Sequence, residues 1–534
     1  MSEEPRPSAS PHGHPRPDDA EAPRRFPRPA PDFVPGVDEP LDPLLALAEQ
    51  EAAPDAAGEI RSGRLAGKSL GAAIAIVALP ILLQQALTAL VGLVDKMISG
   101  SLPEAVATPA MDAIGVGSFV GWFIAIAMGG LGAGGQAIIA RAMGSGDLPL
   151  AERAAGQSLT LGFLWGFVVA GLMIAAAGPL ARASGLSPEA TVYCRQYVQI
   201  LALSMPFCGV MMVGSMALHG AGDTLRPSLI AVGINVVNVL FSVLLSGVEL
   251  RVLGERLPAL TSIDPSAYGV IGIAGGTAIS YAAGGIATAV VLLRGVKDLR
   301  VRRFSLAPER SMAWRVVRIG IPSFLEGMAM WGVNLFVFSF IGIIAMAEAV
   351  GGTPREGLVG AHSITVQWEA FSFLPGFALG TAAGAIAGQY LGAGNAAMAR
   401  RAILLCSAIG VSFMASLGVV FMTCGEALTR VISDQPVHLE EVPKLLFICG
   451  AVQAFFALVM VVRQALRGVG DAKAVLAITV LSSYGVRLPL VWLLGVHLGY
   501  GLPGVWVGLS GELVLRGSLF AGRFLQGGWA KVRV

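Results

Sequence analysis

Long apolar runs separated by short polar connectors fill the chain from about residue 66 onward. A bilayer core of about 30 Å takes roughly 20 mostly apolar residues per helix. Runs of that length recur near 72–98, 112–139, 154–178, 193–216, 227–248, 269–293, 316–345, 359–388, 402–424, 444–465, 474–496 and 504–524. The pattern predicts an all-α integral membrane protein with twelve transmembrane helices in two six-helix lobes. The runs near 112 and 359 are long and Gly-rich, which predicts bent helices there, and Pro375 is the expected hinge.

The connectors repeat. GLGAGGQAIIARAMGSGDLPLAERA (130–154) aligns with ALGTAAGAIAGQYLGAGNAAMARRA (378–402), placing Gly144 on Gly392 and Asp147 on Asn395, 248 positions apart. ALHGAGD (217–223) aligns with ALRGVGD (465–471) at the same spacing, Gly222 on Gly470 and Asp223 on Asp471. The first run of each half corresponds at a spacing of 242, with Pro80 on Pro322. Six helices separate equivalent positions, an even number, so the halves share one orientation and are expected to be related by a pseudo-two-fold along the membrane normal. The expected divisions are a tail at 1–65, an N-lobe at 66–300 and a C-lobe at 301–534.

Composition agrees with lipid as solvent: 13% of residues are charged, 54% are hydrophobic, and mean hydropathy is +0.70. The Pro-, Ala- and acid-rich stretch 1–65 is predicted to be a disordered cytoplasmic tail and does not have the form of a signal peptide. With the N-terminus cytoplasmic, inner connectors carry 22 Lys and Arg against 8 on the outer side. Both termini are therefore expected in the cytoplasm of a multi-pass protein of the cell (inner) membrane. No nucleic-acid footprint, catalytic motif, metal cluster or cofactor motif appears. AGKS at 66–69 lacks the upstream glycine of a phosphate loop. Five cysteines without CxxC spacing read as inert core residues. The chain is not expected to be an enzyme, and a monomer is expected.

Ionisable groups in the membrane cost at least ~2.5–3.5 kcal/mol each on insertion scales, so each needs a role. Asp95, Glu326, Glu369, Arg487, Glu512 and Arg516 fall within runs. Glu512 and Arg516 are four apart and are expected to neutralise each other. Asp95 precedes Lys96, while Asn238 and Ser242 lie one turn apart on one helix face. A carboxylate with amide and hydroxyl oxygens suits a hard cation or a proton; the alternative is that the amides only join helices. Glu326 aligns with Gln84, so only one half can titrate there. Glu369, beside Gln367, is a further candidate for ion or substrate binding, or a partner for Arg487. The mid-depth set holds as many acids as bases or more.

These features together resemble the multidrug and toxic compound extrusion (MATE) family. The residues that carry the resemblance are LPILLQQ…LVDKMISG, the GSGD and GAGN connectors, HGAGDTLRP, RGVGDAK, GIPSFLE and GQYLGAGN, over essentially 66–525. The resemblance implies alternating access and export of small organic cations or drugs in exchange for H⁺ or Na⁺. By position, Asp95 and Asn238 match the family's N-lobe cation site and Glu326 its helix 7 glutamate. Two departures are visible. Ser242 stands where a second acid is common, and 444–465 has no aspartate. A lipid-linked precursor flippase and a non-transporting membrane scaffold are the alternatives.

Overall fold

A computed structural model describes residues 58–533 except 184–186, 253–254, 258–259, 350–354 and 356; side chains at 88–97, at scattered positions in 99–122, at 180 and in 250–257 are also outside it. The predicted tail up to residue 57 thus lies outside the described residues.

Each apolar run falls on helix. In order these are α1 Leu70–Gly100, α2 Glu104–Ser145, α3 Leu148–Ala183, α4 Pro188–Gly220, α5 Leu225–Ser246, α6 Pro265–Arg294, α7 Arg310–Ala347, α8 Leu358–Gly392 and α9 Ala396–Thr423. The chain continues through the short α10 Gly425–Ile432, then α11 Pro436–Ala451, α12 Gln453–Gly468, α13 Ala472–His497 and α14 Gly501–Leu525. Two three-residue strands, Leu250–Val252 and Glu255–Leu257, form a hairpin between α5 and α6, with Leu250 opposite Leu257. Helix dominates because the bilayer leaves no water to satisfy backbone groups.

Among the described residues, ten helices are long and apolar enough to cross a membrane. An eleventh crossing is made if α11 and α12, bent by 58° at one residue, act as one span. That break at Val452 divides the run 444–465, which the apolar pattern takes as one helix. α14 has 25 residues but carries Glu512, Arg516 and Arg523, which lower its hydropathy.

The repeated motifs have a local cause. Gly146 and Gly394 end α2 and α8 with left-handed backbone, φ 79° and 82°. Gly222 and Gly470 do the same after α4 and α12, at 77° and 96°. The next residue's amide then closes each end on the carbonyl five positions back: Asp147 on Ala142, Asn395 on Tyr390, Asp223 on Leu218 and Asp471 on Leu466, all 2.8–2.9 Å. Asp147 and Asn395 also cap the following helix, accepting from the amides of Leu150 at 3.1 Å and Met398 at 2.9 Å. A two-residue code, Gly then a short acid or amide, therefore ends all four helices, and at Asp147 and Asn395 it also starts the next.

One buried apolar cluster draws only on Ile98 to Ala274 and another only on Val333 to Trp506. A third joins Ile60–Ile81 to Ala378–Trp529, where α1 packs on α8. The stretch leading into α1 is tied to the connectors: Ser62 Oγ donates to the Met143 carbonyl at 2.6 Å, the Gly63 amide to Asp298 at 2.8 Å, and Arg64 pairs with buried Asp223 at 2.7 Å. Residues 58–65, which composition groups with the tail, are thus seated in the fold.

The two halves meet in a reciprocal crossing at the ends of α2 and α8. A Cβ on Gly144 would lie 1.8 Å from the Gln389 carbonyl oxygen, and one on Gly392 2.0 Å from that of Arg141. Arg141 and Gln389 are themselves 248 apart, so each glycine receives the backbone of the other half's equivalent residue. Arg141 Nη2 donates to the Val469 carbonyl at 3.0 Å, and Gln389 Nε2 donates to the Gly220 carbonyl at 2.9 Å. Each half thereby bonds to the other's Gly-Asp turn.

Candidate functional site

The second half contains two Arg–Glu–Arg triads. Glu512 on α14 is fully buried between Arg487 on α13 and Arg516 one turn further along its own helix. Arg487 donates from Nε and Nη2 at 3.2 and 3.0 Å, and Arg516 from Nε at 2.5 Å. Arg516 spends its other nitrogens on Met330 Sδ at 3.3 Å and Ser483 Oγ at 3.2 Å. Arg487 ends a π-helical stretch, Ser483–Arg487, whose wider turn aims it at α14. The Glu512–Arg516 pairing is as expected from their spacing. Arg487 pairs with Glu512 and not with Glu369.

The other triad centres on Glu326 of α7, also 0% exposed. Arg467 forms an ion pair with its Oε2, Arg463 Nη1 lies 3.4 Å from Oε1, and Thr479 Oγ1 donates to Oε1 at 3.1 Å. Arg463 and Arg467 are four apart, so α12 presents both on one face. Their side chains keep 14% and 21% exposure, against 8% and 2% for Arg487 and Arg516. Both Nε atoms are buried without a hydrogen-bond partner.

Sequence reasoning missed this arginine pair by assigning it to a cytoplasmic connector. The i, i+4 spacing of two arginines at the end of an apolar run was the available signal. Its consequence is a correction to the charge balance. Arg463, Arg467, Arg487 and Arg516 then stand against Asp95, Glu326, Glu369 and Glu512, four to four, with Arg467 in the last turn of α12.

Glu369 on α8 is partly buried, with Oε1 4.0 Å from Cys449 Sγ, which in turn accepts from Gln453 Nε2 at 3.2 Å. Gln453, the first residue after the α11–α12 break, leaves its buried Oε1 unpartnered. Gln367 is exposed and sits on another face of α8.

The described polar side chains of the α5–α6 seam in the first half are neutral by contrast. Asn238 and Ser242 on α5 are buried against α6, Asn238 Nδ2 donating to Thr277 Oγ1 at 3.0 Å and Ser242 Oγ to the Ile273 carbonyl at 3.4 Å. Asn238 Oδ1 is buried and has no partner, leaving one acceptor in a site built of oxygens. Asp95 lies on α1, which packs along α5, but its side chain is outside those described. Among the described residues no group of three or more His, Cys, Asp or Glu side chains is placed to hold a metal ion.

The MatE family model matches the chain in two segments, residues 80–244 and 322–493. The chain is 27% identical to the probable multidrug resistance protein NorM of Thermotoga maritima over 464 residues, covering 85% of this chain and 92% of the relative. It is 24% identical to the uncharacterized transporter YisQ of Bacillus subtilis, covering 84% and 93%. Among solved structures, it resembles a MATE transporter in its bent conformation with a TM-score of 0.76 at 20% identity, covering 87% of this chain and 97% of that one. An outward-facing multidrug resistance MATE transporter matches with a TM-score of 0.75 at 20% identity, covering 87% and 98%.

Proposed function

The chain belongs to the MatE family of membrane transporters, in keeping with two matched segments, and from that premise we propose that it is a secondary antiporter, not an enzyme, working by alternating access. Twelve spans would form an N-lobe at 66–300 and a C-lobe at 301–534 about a pseudo-two-fold, with α11–α12 as one broken span and α14 as the last. Both termini would face the cytoplasm of the cell membrane.

The observation that carries this reading is the reciprocal α2–α8 crossing. Two equivalent halves clasped at one end by matched backbone contacts have two arrangements open to them, clasped there or clasped at the opposite end, and solute binding shifts the balance. Drug-like substrates enter the reading through the multidrug name of the T. maritima relative.

The coupling ion, H⁺ or Na⁺, is assigned to Asp95 with Asn238 and Ser242, because Asn238 Oδ1 supplies a free acceptor beside α1. Glu326 and Glu369 would face the substrate from the other lobe, while Gln367, on another face of α8, would not. The test is gradient-driven export of ethidium from proteoliposomes. Asp95→Asn is expected to abolish it while folding is retained, and undiminished export would refute the assignment. A flippase for an anionic lipid-linked precursor is the second reading, favoured by the Arg463–Arg467 pair on one face of α12.

A further inference from the structure

We propose that the Glu326–Arg463–Arg467 triad is a charge-recognition site, separate from the Asp95 site that a cation such as ethidium would depend on, and that it takes an anionic group, a carboxylate, sulfonate or phosphate on an amphiphile, with Glu326 as the internal counterion the ligand replaces. This rests on the antiporter reading for its place in a transport cycle, though binding to the triad can be measured without it.

The comparison with the second triad carries the inference. Both have one surplus positive charge, and both sit where an uncompensated charge is costly. In the Glu512 triad the charges are shut away and all three nitrogens of Arg516 are partnered. In the Glu326 triad the arginines remain accessible, and their partners beyond the carboxylate are weak. Arg463 Nη2 reaches only Met460 Sδ at 3.8 Å, Arg467 Nη1 takes Gln464 from its own helix at 3.0 Å, and both Nε atoms have none.

Two guanidinium groups on one helix face hold up to ten N–H donors around a single carboxylate, far more than its two oxygens can use. Guanidinium forks are shaped for planar, bidentate anions, so a second oxyanion satisfies the idle donors and the surplus charge together. A cation entering here would meet the surplus positive charge. Glu326 reaches the pair from α7 while both arginines ride on the C-terminal end of α12, so replacing Glu326 by a ligand uncouples those two helices.

The experiment is equilibrium binding of carboxyfluorescein to the purified full-length protein in detergent, followed by anisotropy, with ethidium as the cationic control. Arg463→Gln and Arg467→Gln are expected to weaken carboxyfluorescein binding by on the order of tenfold each, and Arg463→Lys less. Glu326→Gln, which removes the internal competitor, is expected to tighten it by a similar factor. A purely structural triad predicts the opposite for Glu326→Gln, weaker binding together with a lower melting temperature. Unchanged carboxyfluorescein affinity in all the variants overturns the site, as does ethidium binding that depends on these arginines in its place.

Proteoliposomes then separate two sources of the anion. Arginine-dependent movement of carboxyfluorescein identifies a soluble amphiphile, and arginine-dependent flipping of labelled phosphatidylglycerol identifies a lipid headgroup. If binding behaves as expected but no gradient drives either, the antiporter reading fails and the binding site stands.

Discussion

At the ends of α2 and α8 the two halves are interchangeable, each glycine receiving the other half's backbone and each Gly-Asp turn receiving a donor from across. In their buried side chains they are not. The first half places Asn238, Ser242 and Thr277 in a neutral seam, whereas the second places four arginines and three glutamates. Duplication was kept where two backbones must pass at close range, which only glycine allows. It was relaxed where side chains, not backbones, make the contact, and there the halves are free to specialise.

Changes in charge should break this comparison most severely. Glu512→Gln leaves two enclosed arginines around an amide and is expected to cost about 3–5 kcal/mol, enough to lose folded protein on size exclusion in detergent. Glu326→Gln should cost clearly less, since the Arg463 and Arg467 side chains are less enclosed, 14% and 21% exposed. Equal losses would make the two triads alike. Next come Gly144→Val and Gly392→Val, each forcing α2 and α8 apart at a cost of roughly 1–3 kcal/mol. Their melting temperatures should fall by similar amounts, and a marked inequality would end the claim that the crossing is symmetric.

Asn238→Ala in the neutral seam removes one buried hydrogen bond and should lower stability by only about 1 kcal/mol. The smallest effect lies outside the membrane, where Glu309 is hydrogen-bonded by Arg153 and Ser311 and its carboxyl is held below the ordinary carboxylate range, first by the Arg153 bond. A carboxylate with a depressed folded pKa stabilises above its unfolded value, and that contribution fades as pH falls through about 4 and below. A melting series from pH 7 to 3.5 should show a slight decline that Glu309→Gln removes.

Sequence alone determined the helices and the duplication, because lipid forces long apolar segments to satisfy their own backbone and because Gly146, Gly222, Gly394 and Gly470 each end a helix by a local rule of φ. It also exposed Glu326, Glu369, Asn238 and Ser242 as polar groups that needed a reason. Only the tertiary structure decided what those groups meet. Arg463 and Arg467 sit at the end of an apolar run, where arginine ordinarily marks the cytoplasmic edge, and nothing local says that α7 delivers a buried glutamate to them. The 58° break at Val452 and the pairing of Arg487 with Glu512 are likewise products of packing between helices far apart in the chain. Periodicity records how each helix meets its solvent, while the charge balance of a buried site belongs to the several helices that enclose it.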